Sequence, residues 1–254
     1  TPVISSAASD VYKRQSLEDA VMTAQQVIQY GIPIARIEML NADQMGISIN
    51  YSKLKDIKAV PTLFFEFHGS EISNNENIKI VEDISKENNG SSFKWAKDLE
   101  ERNKIWKARW DVYYSVKALH NNGRVYSTDV CVPISNITEC VKFAEEQAKK
   151  FGVRAPMVGH MGDGNFHVVL PYDPAKKEMY KQIRAFNDTL IRKALELNGT
   201  ITGEHGVGLH KKEYLLEQHP DNIPVMKSIK RTLDPNNIMT VSYTHLTLPT
   251  RLPV

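Results

Sequence analysis

The stretch that decides the fold is Val158-Gly-His-Met-Gly-Asp-Gly-Asn-Phe-His-Val-Val-Leu170. Apolar residues flank the turn signal Asp163-Gly164, a dipeptide favoured in two-residue type I′ hairpins because both central positions need positive φ. With that turn, Gly162 pairs with Asn165, Met161 with Phe166, and His160 with His167. Directly opposite residues of an antiparallel pair point to one face, with Cβ atoms roughly 4.5–5.5 Å apart. Two readings stay open on this spacing. The imidazoles could clamp one metal ion, or they could stack across a partly exposed sheet.

Further along, Gly203-Glu-His-Gly-Val-Gly208 offers a carboxylate and another imidazole. If this segment is extended, Glu204 and His205 point to opposite sides, so one could ligate a metal while the other faces a substrate. His160, His167 and Glu204 together would leave coordination positions open, the mark of a catalytic rather than a structural metal site. Zinc and manganese both suit such ligands. Gly162, Gly164, Gly203 and Gly206 either permit close backbone approach or serve turn geometry. Arg109 lies in Trp106-Lys-Ala-Arg-Trp-Asp-Val-Tyr113, where it is either a solvated helix arginine or a bidentate carboxylate binder. His68, His120, His210 and His219 read as structural or solvated histidines.

The rest of the chain alternates helices and strands. Ser16 caps a helix to about Tyr30, with Asp19 in its first turn. Pro33 to Leu40 reads as a strand around the charged Arg36 and Glu38, and a short helix follows Asn41. Thr62 to Gly69 is the most strand-like run, rich in aromatic residues and closed by glycine. Helices are expected over 73–87 and 97–118, then a strand from Val125 to Val132 ended by Pro133. Ser135 caps a helix to about Lys150, and the hairpin occupies 155–170. A long helix from Pro174 to Leu197 keeps the 3.6-residue period and stops at Asn198-Gly199. A short strand then leads to the second motif, and a last helix covers about 222–233. The expected fold class is α+β, an antiparallel sheet flanked by helices with ferredoxin-like elements, rather than a parallel doubly wound sheet. No Gly-x-Gly-x-x-Gly opens a helix after a strand, so no nucleoside-binding crevice is encoded.

Composition narrows the function classes. The 254 residues are 41% hydrophobic and 24% charged, enough for one large domain or two small ones. A net charge of +2 with no basic run implies neither nucleic acid nor a membrane surface as partner. No apolar run approaches the ~20 residues of a membrane span. Cys131 and Cys140 cannot build a disulfide framework and read as buried reduced thiols of an intracellular or organellar protein. Residues 1–15 and 241–254 show no periodicity and no secretory signal, and resemble translated sequencing-adapter read-through. They are expected to be non-native and disordered or loosely docked, leaving 16–240 as the folded domain.

Four stretches together carry a resemblance: ARIEML…PTLFFEFHG (35–69), YSTDVCVPIS (126–135), GHMGDGNFH (159–167) and TGEHGVGLHKK (202–212). In this order they resemble the C-terminal domain of the FAD-linked oxidase family, of the cytochrome-linked D-lactate dehydrogenase type. Glycolate oxidase D subunits and D-2-hydroxyglutarate dehydrogenases are relatives. The resemblance implies that His160, His167 and Glu204 ligate a divalent metal, zinc or manganese, that His205 is the general base, and that Arg109 clamps the substrate carboxylate. It implies FAD as hydride acceptor, a small 2-hydroxy acid as substrate, and cytochrome c or another carrier as electron acceptor. A lysine carried near Ser127 by the hydroxyglutarate enzymes is absent, which tilts the substrate towards D-lactate. In the family a flavin-binding domain precedes this region, and Asn-Pro-Gly-Lys follows the counterpart of Asn237-Ile-Met239; Thr240 stands here instead. Most FAD contacts are therefore expected outside this chain, and turnover by the chain alone is not expected. The location implied is mitochondrial in a eukaryote, otherwise cytoplasmic or membrane-peripheral.

Two other readings stay open. One is a self-sufficient metallohydrolase using His205 and a metal-bound water, favoured by a buried pocket rather than an open face. The other is a non-catalytic α+β dimerisation module. Separation of His160, His167 and Glu204 beyond ~6 Å, outside any shared coordination sphere, would sink both enzyme readings.

Overall fold

A computed structural model of the chain describes residues 4–9, 16–55, 57–90, 93–96, 99–120, 123–208 and 210–239. The first half runs β1 (Ile4–Ser9), α1 (Leu17–Gln29), β2 (Arg36–Leu40), α2 (Ala42–Ser52), β3 (Thr62–His68), α3 (Glu71–Glu87), β4 (Phe93–Ala96), α4 (Leu99–Trp110) and α5 (Val112–Lys117). The second half runs β5 (Arg124–Ser127), β6 (Val130–Cys131), α6 (Ile137–Phe151), β7 (Met157–His160), β8 (Asn165–Tyr172), α7 (Lys177–Glu196), α8 (Lys212–Gln218) and α9 (Ile223–Leu233). The strands form one sheet in the order β4-β1-β3-β2-β7-β8-β5, with β6 also on β8. Each of these pairings is antiparallel. The α+β class with an antiparallel sheet and flanking helices is the observed one.

Alternation along the strands feeds two cores. Ile37 and Met39 of β2 and Leu63, Phe65 and Phe67 of β3 face α1, α3, α6 and α7. Leu40, Phe64, Val158 and Val169 point the other way, beneath α2, α4 and α5. Because helices cover both faces, β3 is buried almost throughout, which explains its continuous apolar run. The same double cover buries Glu38 to 3% exposure, although strand alternation alone would have left it on a solvated face.

Several sequence expectations need correction. The hairpin is not closed by a type I′ turn at Asp163-Gly164. A short 3₁₀ turn spans Met161–Asp163, and only Gly164 among the loop residues has positive φ, +72°. The wider loop lets Met161 plug the first core at 1% exposure, while Gly164 lies against the Val132 carbonyl. His160 consequently pairs with Asn165, and His167 with Val158. This is a slip of two residues, so both histidines keep the same face, whereas a slip of one would have separated them.

The expected 97–118 helix breaks at Asp111 into α4 and α5, and the 125–132 strand divides at Thr128-Asp129. Ser135 sits inside a 3₁₀ turn and gives its hydroxyl to Asn136 Oδ1, so it does not cap α6. Ile4–Ser9, expected to be loose, forms β1 between β3 and β4, which fills what would otherwise be an open edge of β3. The remainder of the 1–15 and 241–254 expectations lies outside the described residues. Cys140 is buried, and burial pushes its thiol pKa up to about 12. Cys131 is only half-buried and donates its S–H to the Asp163 carbonyl at 3.2 Å.

Candidate active site

The sheet brings three polar strand residues to one place on the second face. Glu38 of β2 pairs with His160 of β7 across the ladder, and His167 of β8 lies diagonal to His160. The two imidazoles meet edge to face with centroids 5.8 Å apart. The loop after α7 then delivers Glu204 and His205 over them. Glu204 Oε1 lies 2.8 Å from His167 Nε2, 3.4 Å from His160 Nε2 and 3.5 Å from His205 Nε2. The potential ligand atoms of His160, His167 and Glu204 all fall within 4.8 Å of one another.

Each imidazole is oriented through Nδ1. His160 Nδ1 meets Glu38 Oε1 at 2.8 Å, and His167 Nδ1 donates to the Thr128 carbonyl at 2.9 Å. A carbonyl can only accept, so His167 carries its proton on Nδ1 and a lone pair on Nε2. Burial lowers the His167 pKa and favours this neutral form. Its Nε2 is buried and makes no hydrogen bond, although Glu204 Oε1 stands 2.8 Å away. Two electron-rich atoms at that distance need a proton or a cation between them. A divalent metal fits this donor set, and the Nδ1 contacts are the usual outer partners of metal-bound histidines.

Opposite charges pair throughout the cluster. Burial would raise the Glu38 carboxyl, but the His160 hydrogen bond and the Arg109 charge outweigh it and hold Glu38 below its ordinary value. The Glu38 contact in turn raises the His160 pKa. Arg109 Nε donates to Glu38 Oε2 at 2.8 Å. Asp129 is ion-paired with Lys211 at 3.1 Å. Among the described residues Glu204 meets three histidines, so its carboxylate stands at the point where the imidazole nitrogens converge.

Arg109 reaches the site from the buried side of α4, so it is not a solvated helix arginine, but its Nε is spent on Glu38 and its Nη2 lies 3.4 Å from His160 Nε2. The guanidinium lines a cleft of about 790 Å³ together with Glu38, His160 and Glu204. The same cleft is also lined by the apolar Ile28, Ile32, Pro33 and Ile34 and by the half-exposed Trp110. The expectation that Glu204 and His205 would point to opposite sides is corrected. The backbone bends at 203–205, His205 stacks on His167 with centroids 4.5 Å apart and planes 9° from parallel, and both side chains gather on one side.

Sequence reasoning missed Glu38 and Asp129. Both read as ordinary charges in or beside strands. A signal for Asp129 was present in the polar triplet Ser127-Thr-Asp129, set inside an otherwise strand-like run.

Comparison with known proteins places the chain in a family. The profile described as "FAD linked oxidases, C-terminal domain" matches residues 6–240. The chain belongs to that family. Among curated members, a "Probable D-lactate dehydrogenase, mitochondrial" of Danio rerio is 41% identical over 92% of the chain and 47% of its own length. A "D-lactate dehydrogenase [cytochrome], mitochondrial" of Arabidopsis thaliana is 35% identical over 88% of the chain and 40% of its own length. The chain thus spans under half the length of these FAD-linked oxidase relatives. Two solved structures share the fold at lower identity. A substrate-bound p-cresol methylhydroxylase has a TM-score of 0.62 at 14% identity, over 93% of this chain and 52% of its own. A 4-ethylphenol oxidase from Gulosibacter chungangensis, in an isoeugenol complex, has a TM-score of 0.64 at 16% identity, over 92% of this chain and 52% of its own. No described helix is long and apolar enough to cross a membrane.

Proposed function

We propose that this chain is the substrate- and metal-binding part of a flavin-dependent D-2-hydroxy-acid dehydrogenase that oxidises D-lactate to pyruvate. The observation that carries the reading is the buried, unbonded Nε2 of His167 facing the carboxylate of Glu204. His160, His167 and Glu204 would hold a divalent cation, zinc or manganese. Such a cation lowers the pKa of a bound hydroxyl and adds positive charge where the substrate carboxylate sits. Its two charges, set against Glu204, leave one positive charge for that carboxylate to neutralise.

His205 would take the hydroxyl proton on Nε2, with its ring held flat against His167. Arg109 would hold the substrate carboxylate through the part of its guanidinium that lines the cleft, while Glu38 fixes its Nε. FAD, when bound, would supply the acceptor for the hydride leaving C2. The apolar lining residues and Trp110 suit contact with a planar ring, whereas the sequence carries no glycine-rich helix start for the diphosphate, which would be held elsewhere in the holoenzyme. The names of the relatives extend the proposal to a mitochondrial location and to a downstream carrier such as cytochrome c. They also favour the flavin reading over a metallohydrolase, as does a site whose Glu204 and His205 side chains are 49% and 44% exposed.

The test is titration of the chain with Mn²⁺, followed by electron paramagnetic resonance. One tight equivalent is expected, lost in His160→Ala. D-lactate should change the spectrum of the bound ion more than L-lactate, glycolate or D-2-hydroxyglutarate. Absence of stoichiometric Mn²⁺ and Zn²⁺ binding, or an unchanged titration in His160→Ala, would overturn the metal site. A stronger response to another acid would reassign the substrate.

A further inference from the structure

We infer that Asp129 is the positioning residue that seats Glu204 and His205 in the site, with Lys211 as its counter-ion. The inference rests on the metal reading above for its consequence, though not for its geometry.

The seat begins in the sheet. β5 and β6 pair with β8 in one continuous register, Ser127 with Val169 and Val130 with Phe166, so Asp129 falls opposite His167. Its carboxylate has no accessible surface. Asn165 Nδ2 donates to Oδ1 at 3.0 Å from β8, which ties the carboxylate to the hairpin. The other donors come from the later segment. Thr202 Oγ1 donates to Oδ2 at 2.6 Å, Glu204 N to Oδ1 at 3.2 Å, His205 N to Oδ2 at 3.0 Å, and Lys211 Nζ to Oδ2 at 3.1 Å.

This matters because the segment leaves the sheet just before it is needed. Its bridge to Cys131 ends at Thr200. Past that point, the backbone N–H groups of the ligand and of the base are both spent on a single carboxylate. A second observation agrees. A Cβ added at Gly203 would lie 2.0 Å from Asn165 Nδ2 and 3.1 Å from Asp129 Oδ1, so only glycine lets the loop settle this close. Glu204 and His205 are therefore placed from beneath by one buried side chain, while their own side chains remain about half exposed. Lys211 compensates a carboxylate that would otherwise stand buried and unpaired, the arrangement that makes removal of one partner costly.

The test reads amide exchange and Mn²⁺ binding and needs no flavin turnover. Asp129→Asn keeps the shape but replaces one acceptor oxygen with a donor, so at least one of the loop N–H groups loses its partner. Amide exchange at Glu204 and His205 should accelerate at least tenfold, while exchange at Val168 in β8 stays unchanged. Mn²⁺ affinity should fall by about 10–100-fold, the usual effect of losing an outer-shell contact. Unchanged exchange at Glu204 and His205 would overturn the inference.

If protection is lost across β8 as well, the milder Thr202→Val decides, since it removes one hydroxyl donor and leaves the carboxylate in place. A few-fold loss of Mn²⁺ affinity or faster exchange at 204–205 with β8 intact supports the seat, and no change in either overturns it. Faster loop exchange in Asp129→Asn, in a chain whose wild type binds no Mn²⁺, would retain the seat and discard the metal reading.

Discussion

The two halves of the candidate site are built differently. His160 and His167 stand on β7 and β8, where a ladder on each side, a buried Phe166 and two Nδ1 contacts fix the rings. Glu204 and His205 stand on a bent loop held by hydrogen bonds to one carboxylate. Side chains on a strand inherit their direction from register, and register tolerates an even slip. Loop side chains inherit theirs from whatever the backbone happens to touch. The hairpin half is thus over-determined, and the loop half depends on a few named atoms.

The largest effect should come from striking the hairpin. Phe166 is fully buried beside Met161 in the first core. Phe166→Ala should cost about 3–5 kcal/mol and lower Tm by roughly 10 °C, read by thermal melting. A fall of only a degree or two would mean that the hairpin does not depend on that core. No single truncation on the 203–206 loop should approach this figure, because the side chains there bury little.

Next comes the division of labour between the halves. His160→Ala should weaken Mn²⁺ binding by at least ~100-fold, beyond the range for an outer-shell contact. His205→Ala should change it only a few-fold, yet abolish most turnover in the FAD-loaded holoenzyme, by the ~10²–10⁴-fold typical of a general base. Equal loss of metal in both variants would erase the distinction between ligand and base.

Legibility in the sequence follows the same line. The Ser16 cap, the aromatic run Thr62–His68 and the long α7 ladder are local patterns, and each is observed close to where the sequence puts it. The shared face of His160 and His167 was legible despite the wrong turn, since parity survives an even slip. Glu38 was not, because its burial depends on α4 arriving from seventy residues away and bringing Arg109 with it. Asp129 was hidden for a similar reason. Its donors Thr202, Glu204, His205 and Lys211 all lie far along the chain. β1 was missed because a strand of small residues such as Ser-Ser-Ala-Ala-Ser carries no apolar alternation, and its partner edges supply the order.

A smaller effect is expected from Glu38→Gln, which keeps a hydrogen bond to His160 but removes the charge shared with Arg109. Mn²⁺ affinity should fall about 10-fold, at the low end for an outer-shell contact. An unchanged affinity would show that the Nδ1 partner of His160 contributes orientation that packing already supplies.

The smallest effect separates two glycines of the same loop. Gly206 has φ +77°, and a Cβ there would meet nothing within 4 Å. Gly206→Ala should therefore cost only the left-handed backbone penalty, about 1 kcal/mol and ~2–4 °C in Tm, with Mn²⁺ binding within two-fold of wild type. Gly203→Ala adds the same methyl group directly against Asn165 and Asp129. It should change Tm by a similar amount, because the loop can lift away, yet reduce Mn²⁺ affinity at least tenfold as Glu204 lifts with it. Chemistry and chain position are nearly the same in the two variants, so only the neighbours differ. Equal Mn²⁺ affinities would mean that Glu204 finds the metal by loop flexibility alone, and the contrast between a preset hairpin and a seated loop would fail at its weakest point.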